Sequence, residues 1–201
     1  MDLLLAYARK VARGGAWLGG ALLIAAAFLV GVEVVIRKAF SLTIGGADEL
    51  SGYALAISIS WALAFALLER AHIRIDSLYA HLPVRLCAVL DIAGLALLTA
   101  FVALITWYGF GVFQTSYRLG AHSLSPLGTP LAVPQLIWVL GFVVFLLIAM
   151  LLLVRALMLL IAGDPPAVMR LIGSRTVSEE IEAEIGGGAE PPARPSAKPG
   201  P

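Results

Sequence analysis

Charge is scarce in this sequence. Only 13% of its 201 residues are Asp, Glu, Lys or Arg, against 60% that are hydrophobic. A water-soluble domain normally carries about 25% charged residues, so there is too little polar surface here to clothe a soluble fold. The charges that exist nearly cancel, to a formal net +1, and no strong field points to nucleic acid as a partner. Cysteine is almost absent. Cys87 stands alone, which excludes an intrachain disulfide, a CxxC redox centre and a thiolate metal cage. Histidine is thin as well. His72, His81 and His122 all fall outside the long apolar runs, where a membrane haem would need its axial ligands. There is no Walker loop, no GxSxG and no HExxH. The sequence thus offers no recognisable catalytic site, and no cofactor or metal is expected.

Long apolar runs are what the sequence has in quantity, and its mean hydropathy is +0.94. A hydrocarbon core of roughly 30 Å needs about 20 apolar helical residues. Four segments are long enough: Ala16 to Ile36, Leu50 to Leu68, Leu86 to Tyr108 and Leu136 to Ala162. They are too long, and too free of alternation, for barrel strands. The expected fold class is therefore an all-α integral membrane protein with four transmembrane helices. Arg9, Lys10 and Arg13 before an apolar run, with Ala25-Ala26-Ala27 inside it, also fit a signal peptide. The run continues to Ile36, however, and an uncleaved span is the better reading.

Lys and Arg in the short loops set the orientation. One side would hold nine of them, Arg9, Lys10, Arg13, Arg70, Arg74, Arg85, Arg155, Arg170 and Arg175, and the other three, Arg37, Lys38 and Arg118. Both termini are then expected in the cytoplasm. Residues 1–163 form the expected four-helix membrane domain, and 164–201 a cytoplasmic tail. Asp164-Pro165-Pro166 should stop the fourth helix, residues 167–185 can form a short surface helix, and the Gly- and Pro-rich chain from about residue 186 is expected to be disordered.

Small residues let helix backbones approach in lipid. The second span carries Ala54, Ser58, Ala62 and Ala66 at four-residue spacing, and a second row, Ala56, Ser60 and Ala64, roughly opposite. The first span opens with Gly15 and Gly19. Packing within this chain and reception of another membrane subunit both fit such faces. The fourth span, with Leu146, Leu147, Leu151, Leu152, Leu153, Leu159 and Leu160, is expected to face lipid.

Polar residues gather at the edges. Glu33 and Arg37 have the spacing and order of a helical ion pair, which either closes the span's outer end or meets a partner. Asp48 and Glu49 open the second span, where the helix dipole favours carboxylates and Asp48 can cap. Between Glu69 and Arg85, the residues Arg74, Ser77, His81 and Arg85 oppose Ile75, Leu78, Leu82 and Leu86. This pattern predicts a short amphipathic helix in the cytoplasmic interface. Asp91 lies just inside the third span and needs a partner, Arg85 or another chain. Pro126, Pro130 and Pro134 should hold the loop from Gln114 to Gln135 in a turn-rich form, with His122 solvated.

The order of these motifs resembles the small membrane subunit of TRAP (tripartite ATP-independent periplasmic) transporters. Arg37-Lys38-Ala39-Phe40 is similar to the family's Arg-Tyr-x-Phe, with Lys38 in place of Tyr. Asp48-Glu49-Leu50 resembles its acidic-acidic-Leu. Glu69-Arg70-Ala71-His72-Ile73-Arg74-Ile75-Asp76 resembles its His-Ile-Arg-Val-Asp loop, closed by Leu82-Pro83. Ser125-Pro126-Leu127-Gly128-Thr129-Pro130 with Gly141 resembles the approach to its last span. The likeness covers roughly Trp17 to Leu160, and the tail is not part of it. It implies a multi-pass subunit of the bacterial inner membrane, partnered by the lipid bilayer, a large permease subunit and a periplasmic substrate-binding protein. It further implies sodium-driven uptake of an organic acid, with this chain as the scaffold. On that basis Glu33, Arg37, Asp48 and Glu49 are expected on the outer, docking side. Glu69, Arg70, His72, Arg74, Asp76 and Arg85 are expected to stabilise the cytoplasmic side. The alternatives are a membrane anchor for a respiratory or redox enzyme and a self-associating channel.

Overall fold

A computed structural model describes residues 2–70 and 82–173. The expected interfacial helix, with His72, Arg74 and Asp76, lies outside the described residues, as does the tail from residue 174. The described chain forms five helices: α1 (Asp2–Phe40), α2 (Ala47–Leu68), α3 (Val84–Leu119), α4 (Ala132–Ile161) and α5 (Pro165–Ile172). The first four are long and apolar enough to cross a membrane. In such sequences the helix is imposed by the solvent, because only a helix satisfies every backbone N–H and C=O within its own segment.

Two helices outrun their apolar runs. At about 1.5 Å per residue, the 39-residue α1 and 36-residue α3 measure about 58 and 54 Å, well beyond the hydrocarbon thickness. Hydropathy marks where lipid ends, not where a helix ends. Arg9, Lys10 and Arg13 are good helix formers, and Leu5, Ala8 and Ala12 along the same stretch are buried. At its far end α3 continues through Gln114 to Leu119, so the connection to α4 shrinks to residues 120–131. Pro134 sits in the first turn of α4, where its missing N–H leaves no hydrogen bond unmade.

The helices follow the order α1–α2–α4–α3. α1 lies along α2, α2 along α4 and α4 along α3, while α1 meets α4 only slightly and α5 packs on α3 and α4. Coverage agrees with this order: 17% of the apolar window of α1 and 28% of that of α3 is buried, against 33% for α2 and 39% for α4. The expectation of a lipid-facing fourth span is therefore corrected. Leu152 is buried, and Leu146, Leu151, Leu153, Leu159 and Leu160 pack against the core, leaving Leu147 exposed. α4 is apolar on every side, so its sequence has no period from which a face could be read. Its small residues Gly141, Ala149 and Ala156 all lie buried and let the neighbouring helices approach.

The rows on α2 divide between neighbours. Ser58 donates to the Gly19 carbonyl of α1 at 2.8 Å, and both groups are buried. Gly15 of α1 lies against Trp61, so that a Cβ there would fall 2.9 Å from the Trp61 ring. The Gly15/Gly19 pair thus serves packing within the chain. On the other side of α2, Ser60 faces Gly141 of α4, where an added Cβ would come within 2.5 Å of its hydroxyl. The Trp61 indole N–H donates to the Ile137 carbonyl at 3.0 Å. Ala54, Ala62 and Ala66 are half-buried. A four-residue step advances about 40° beyond a full helical turn, so the row that includes Ser58 drifts away from α1 along its length.

Candidate functional site

The polar residues collect at the two ends of the helices. The first end carries the α1–α2 turn and the 120–131 loop. Glu33 is buried. It accepts from the Arg37 guanidinium at 2.8 Å and from the Ile44 backbone N–H at 2.7 Å. The carboxylate therefore closes its own helix and pins the returning turn. Arg37 reaches outward, with its side chain 56% exposed, and Asp48 is close enough to add its field there. Asp48 does not cap α2. The cap position belongs to Gly46 at φ 102°, and Asp48 is exposed in the first turn. Gly46 has a steric reason as well as a conformational one, because a Cβ would collide with Leu127.

Glu49 takes a part that its position in sequence does not reveal. Its carboxylate accepts from the Tyr53 hydroxyl at 2.7 Å, the Ser123 hydroxyl at 2.8 Å and the Ser125 hydroxyl. Two of these donors lie more than seventy residues away, in the 120–131 loop. That loop is a small closed hairpin. Ala121 accepts from the Leu131 N–H at 3.0 Å, Thr129 from the Ser123 N–H at 2.9 Å, and Ser125 from the Gly128 N–H at 3.0 Å. His122 and Pro130 form an isolated bridge. Pro126 lies against Gly45 and Leu127 against Gly46, so the two connections form one crown. His122 is exposed, its Nδ1 2.7 Å from the Gly120 carbonyl. Among the described residues, no group of three or more His, Cys, Asp or Glu is placed to hold a metal ion.

The opposite end carries the arginines. The Arg70 guanidinium donates to the Arg170 carbonyl at 3.1 Å and so ties the end of α2 to α5. Asp164 caps α5 by accepting from the Ala167 N–H at 3.0 Å, with Pro165 in the first turn. Val168 and Ile172 are buried beneath it. Asp91 is buried in α3, and a Cβ on Gly173 would lie 3.2 Å from its Oδ2. Arg85 is exposed on the first turn of α3. Six residues along a helix separate two side chains by about 240°, so Arg85 and Asp91 leave α3 on different sides. Glu69 is half-buried at the end of α2, with its N–H bonded to the Phe65 carbonyl at 2.9 Å.

The structure thus brings together Glu33, Arg37, Asp48 and Glu49 at one end, and Glu69, Arg70 and Arg85 lie towards the other. Sequence reasoning missed the partners of Glu49 and the closure of α5 over Asp91, because both are long-range. The one available hint was a Ser- and Thr-bearing, Pro-punctuated loop with no acidic residue of its own. Comparison with curated proteins and with solved structures gives no match. Residues 16–159 match the family described as tripartite ATP-independent periplasmic transporters, DctQ component, a span that begins within α1 and ends in the last turn of α4. The chain belongs to that family, as the small permease component of a TRAP transporter.

Proposed function

We propose that this chain braces the large permease subunit of a sodium-driven TRAP transporter for an organic acid, and that its crown faces the periplasm. Family membership carries the class. The helix order supports the bracing role. α1 and α3, at the ends of the row, keep large apolar residues exposed: Trp17, Ile24 and Phe28 on α1, and Leu97, Trp107 and Tyr108 on α3. Lipid and a second membrane subunit are the two environments that such faces fit. Orientation follows from charge: Arg9, Lys10, Arg13, Arg70, Arg85, Arg155 and Arg170 lie towards the α5 end, against Arg37, Lys38 and Arg118 at the crown. The rule of positive loops then puts both termini in the cytoplasm. In a transporter whose large subunit moves substrate, a static partner gives the mobile part something to move against.

Co-expression with the large permease subunit tests this reading. The two are expected to co-purify in detergent through size exclusion, and alanine at both Arg74 and Asp76 is expected to weaken that association. A large subunit that purifies alone, in equal yield and with equal activity, would defeat the proposal.

A further inference from the structure

The cations at the start of α1 continue an apolar stripe. Arg9, Lys10 and Arg13 recur at the three- and four-residue spacing that leads on to Trp17, Gly20 and Ile24, so all six share one side of the helix. That side and Phe65 of α2 line an apolar groove of about 360 Å³, which runs from Arg13 to Ile24. Gly20 keeps its floor open. A Cβ at Gly20 meets nothing within 4 Å, whereas one at Gly15 or Gly19 would press on Trp61 or Ser58 of α2. Packing within the chain therefore accounts for Gly15 and Gly19 but not for Gly20. From position 13 to position 24 the helix rises about 16 Å, close to half of a hydrocarbon core of roughly 30 Å. The groove is thus about as long as one leaflet is deep. Trp17 stands exposed near its charged end, and indoles favour the boundary between membrane and water.

From this geometry we infer that the groove holds an acyl chain of an anionic phospholipid, whose phosphate is met by Arg13 and, beyond it, by Lys10 and Arg9. In the orientation and bracing role proposed above, on which this site rests, that end of α1 lies among the inner head groups. Charge selects the occupant. α1 carries no acidic residue between Leu3 and Val32, and its three cations are exposed. On α2 the acid closest in sequence to Phe65 is Glu69, half-buried one turn further on. A guanidinium can offer two parallel hydrogen bonds to a phosphate, and basic sites on the cytoplasmic side of membrane helices attract anionic head groups. A helix of the large subunit would match the apolar walls but gives no reason for the cations at their end. A lipid bound here takes the place of a protein neighbour along this half of α1 and fixes the depth of the brace in the bilayer.

The test uses the full chain assembled with the large subunit, in phosphatidylcholine nanodiscs that contain rising fractions of phosphatidylglycerol brominated on its acyl chains. Trp17 lines the groove, so the fluorescence that wild type has and Trp17→Phe lacks reports contact with the bromines. Half-quenching of Trp17 should need a several-fold lower fraction of brominated phosphatidylglycerol than of brominated phosphatidylcholine. Arg13→Gln should raise that fraction about fivefold, the effect of one cation at the membrane surface, and Arg13→Lys should raise it much less. Gly20→Leu fills the groove from a position where a Cβ meets no other atom of the chain, and it should remove most of the preference for phosphatidylglycerol. Assembly with the large subunit should be unchanged in all three variants. Equal quenching of wild type by the two lipids overturns the inference. An unchanged preference in Gly20→Leu also overturns it, by assigning the preference to diffuse attraction at the membrane surface. So does a Trp17 that both lipids quench in the chain alone and neither quenches in the complex, which gives the groove to the large subunit. Failure of the wild-type chain to assemble with the large subunit would instead refute the bracing role, and the two lipids compared on the chain alone would still decide the site.

Discussion

The contact between Gly141 of α4 and α2 gives the sharpest quantitative expectation. A Cβ at that position would lie 2.5 Å from the Ser60 hydroxyl oxygen and 2.9 Å from both Ser60 Cβ and Trp61 Cδ1. Ser60 is fully buried, and the Trp61 indole is tied to the Ile137 carbonyl one turn away, so neither can move aside freely. Gly141→Ala therefore separates the two central helices or strains their side chains, and overpacking of this kind costs about 1–3 kcal/mol. Alanine itself favours the helix by about 1 kcal/mol over glycine, so the net loss should be about 0–2 kcal/mol. Gly52, Gly94 and Gly111 supply the control. All three lie within helices, and a Cβ there meets nothing within 4 Å, so Gly→Ala should be neutral or should stabilise by up to about 1 kcal/mol. The gap between Gly141→Ala and the controls should thus be about 1–3 kcal/mol, the overpacking cost alone. The measurement is equilibrium unfolding of the four variants in mixed micelles, each normalised to wild type. Ser60→Gly in the Gly141→Ala background should recover part of the loss, since the Trp61 contact remains. Equal stability of Gly141→Ala and Gly94→Ala would refute the α2–α4 packing described here.

Other outcomes follow from the two ends. Glu33 is buried and Arg37 exposed, so Arg37→Ala, which strands a buried carboxylate, should lower the melting temperature more than Glu33→Gln, which keeps an acceptor for Ile44. Glu49→Ala should speed amide exchange at Ser123, Gly128 and Leu131 while leaving the middle of α3 and α4 protected, as read by exchange mass spectrometry; an unchanged hairpin would remove Glu49 from its proposed part. Because Cys87 is 2% exposed, intact cells carrying Leu124→Cys should label with a membrane-impermeant maleimide, whereas Arg170→Cys should label only after lysis; the reverse pattern would invert the topology.

Much of the fold was legible because the membrane simplifies the problem. Apolar length alone locates four spans, and the Glu33–Arg37 spacing alone predicts their ion pair. Gly15 and Gly19 were legible as packing positions, though not their counterparts Trp61 and Ser58. Element ends were hidden, since Arg9 to Arg13 at the start of α1 and Gln114 to Leu119 at the end of α3 are polar yet helical. The face of α4 was hidden because leucine surrounds it. Glu49 was the largest gap in the candidate site. A carboxylate in the first turn of a helix has a sufficient local explanation in the dipole, and nothing local points to Ser123 and Ser125.

Reconstituted uptake measures the central claim most directly. Liposomes containing the large subunit, the periplasmic subunit and a sodium gradient are assayed with this chain and without it. Bracing predicts gradient-driven uptake only when the chain is present. Full-rate uptake by the large and periplasmic subunits alone would contradict it.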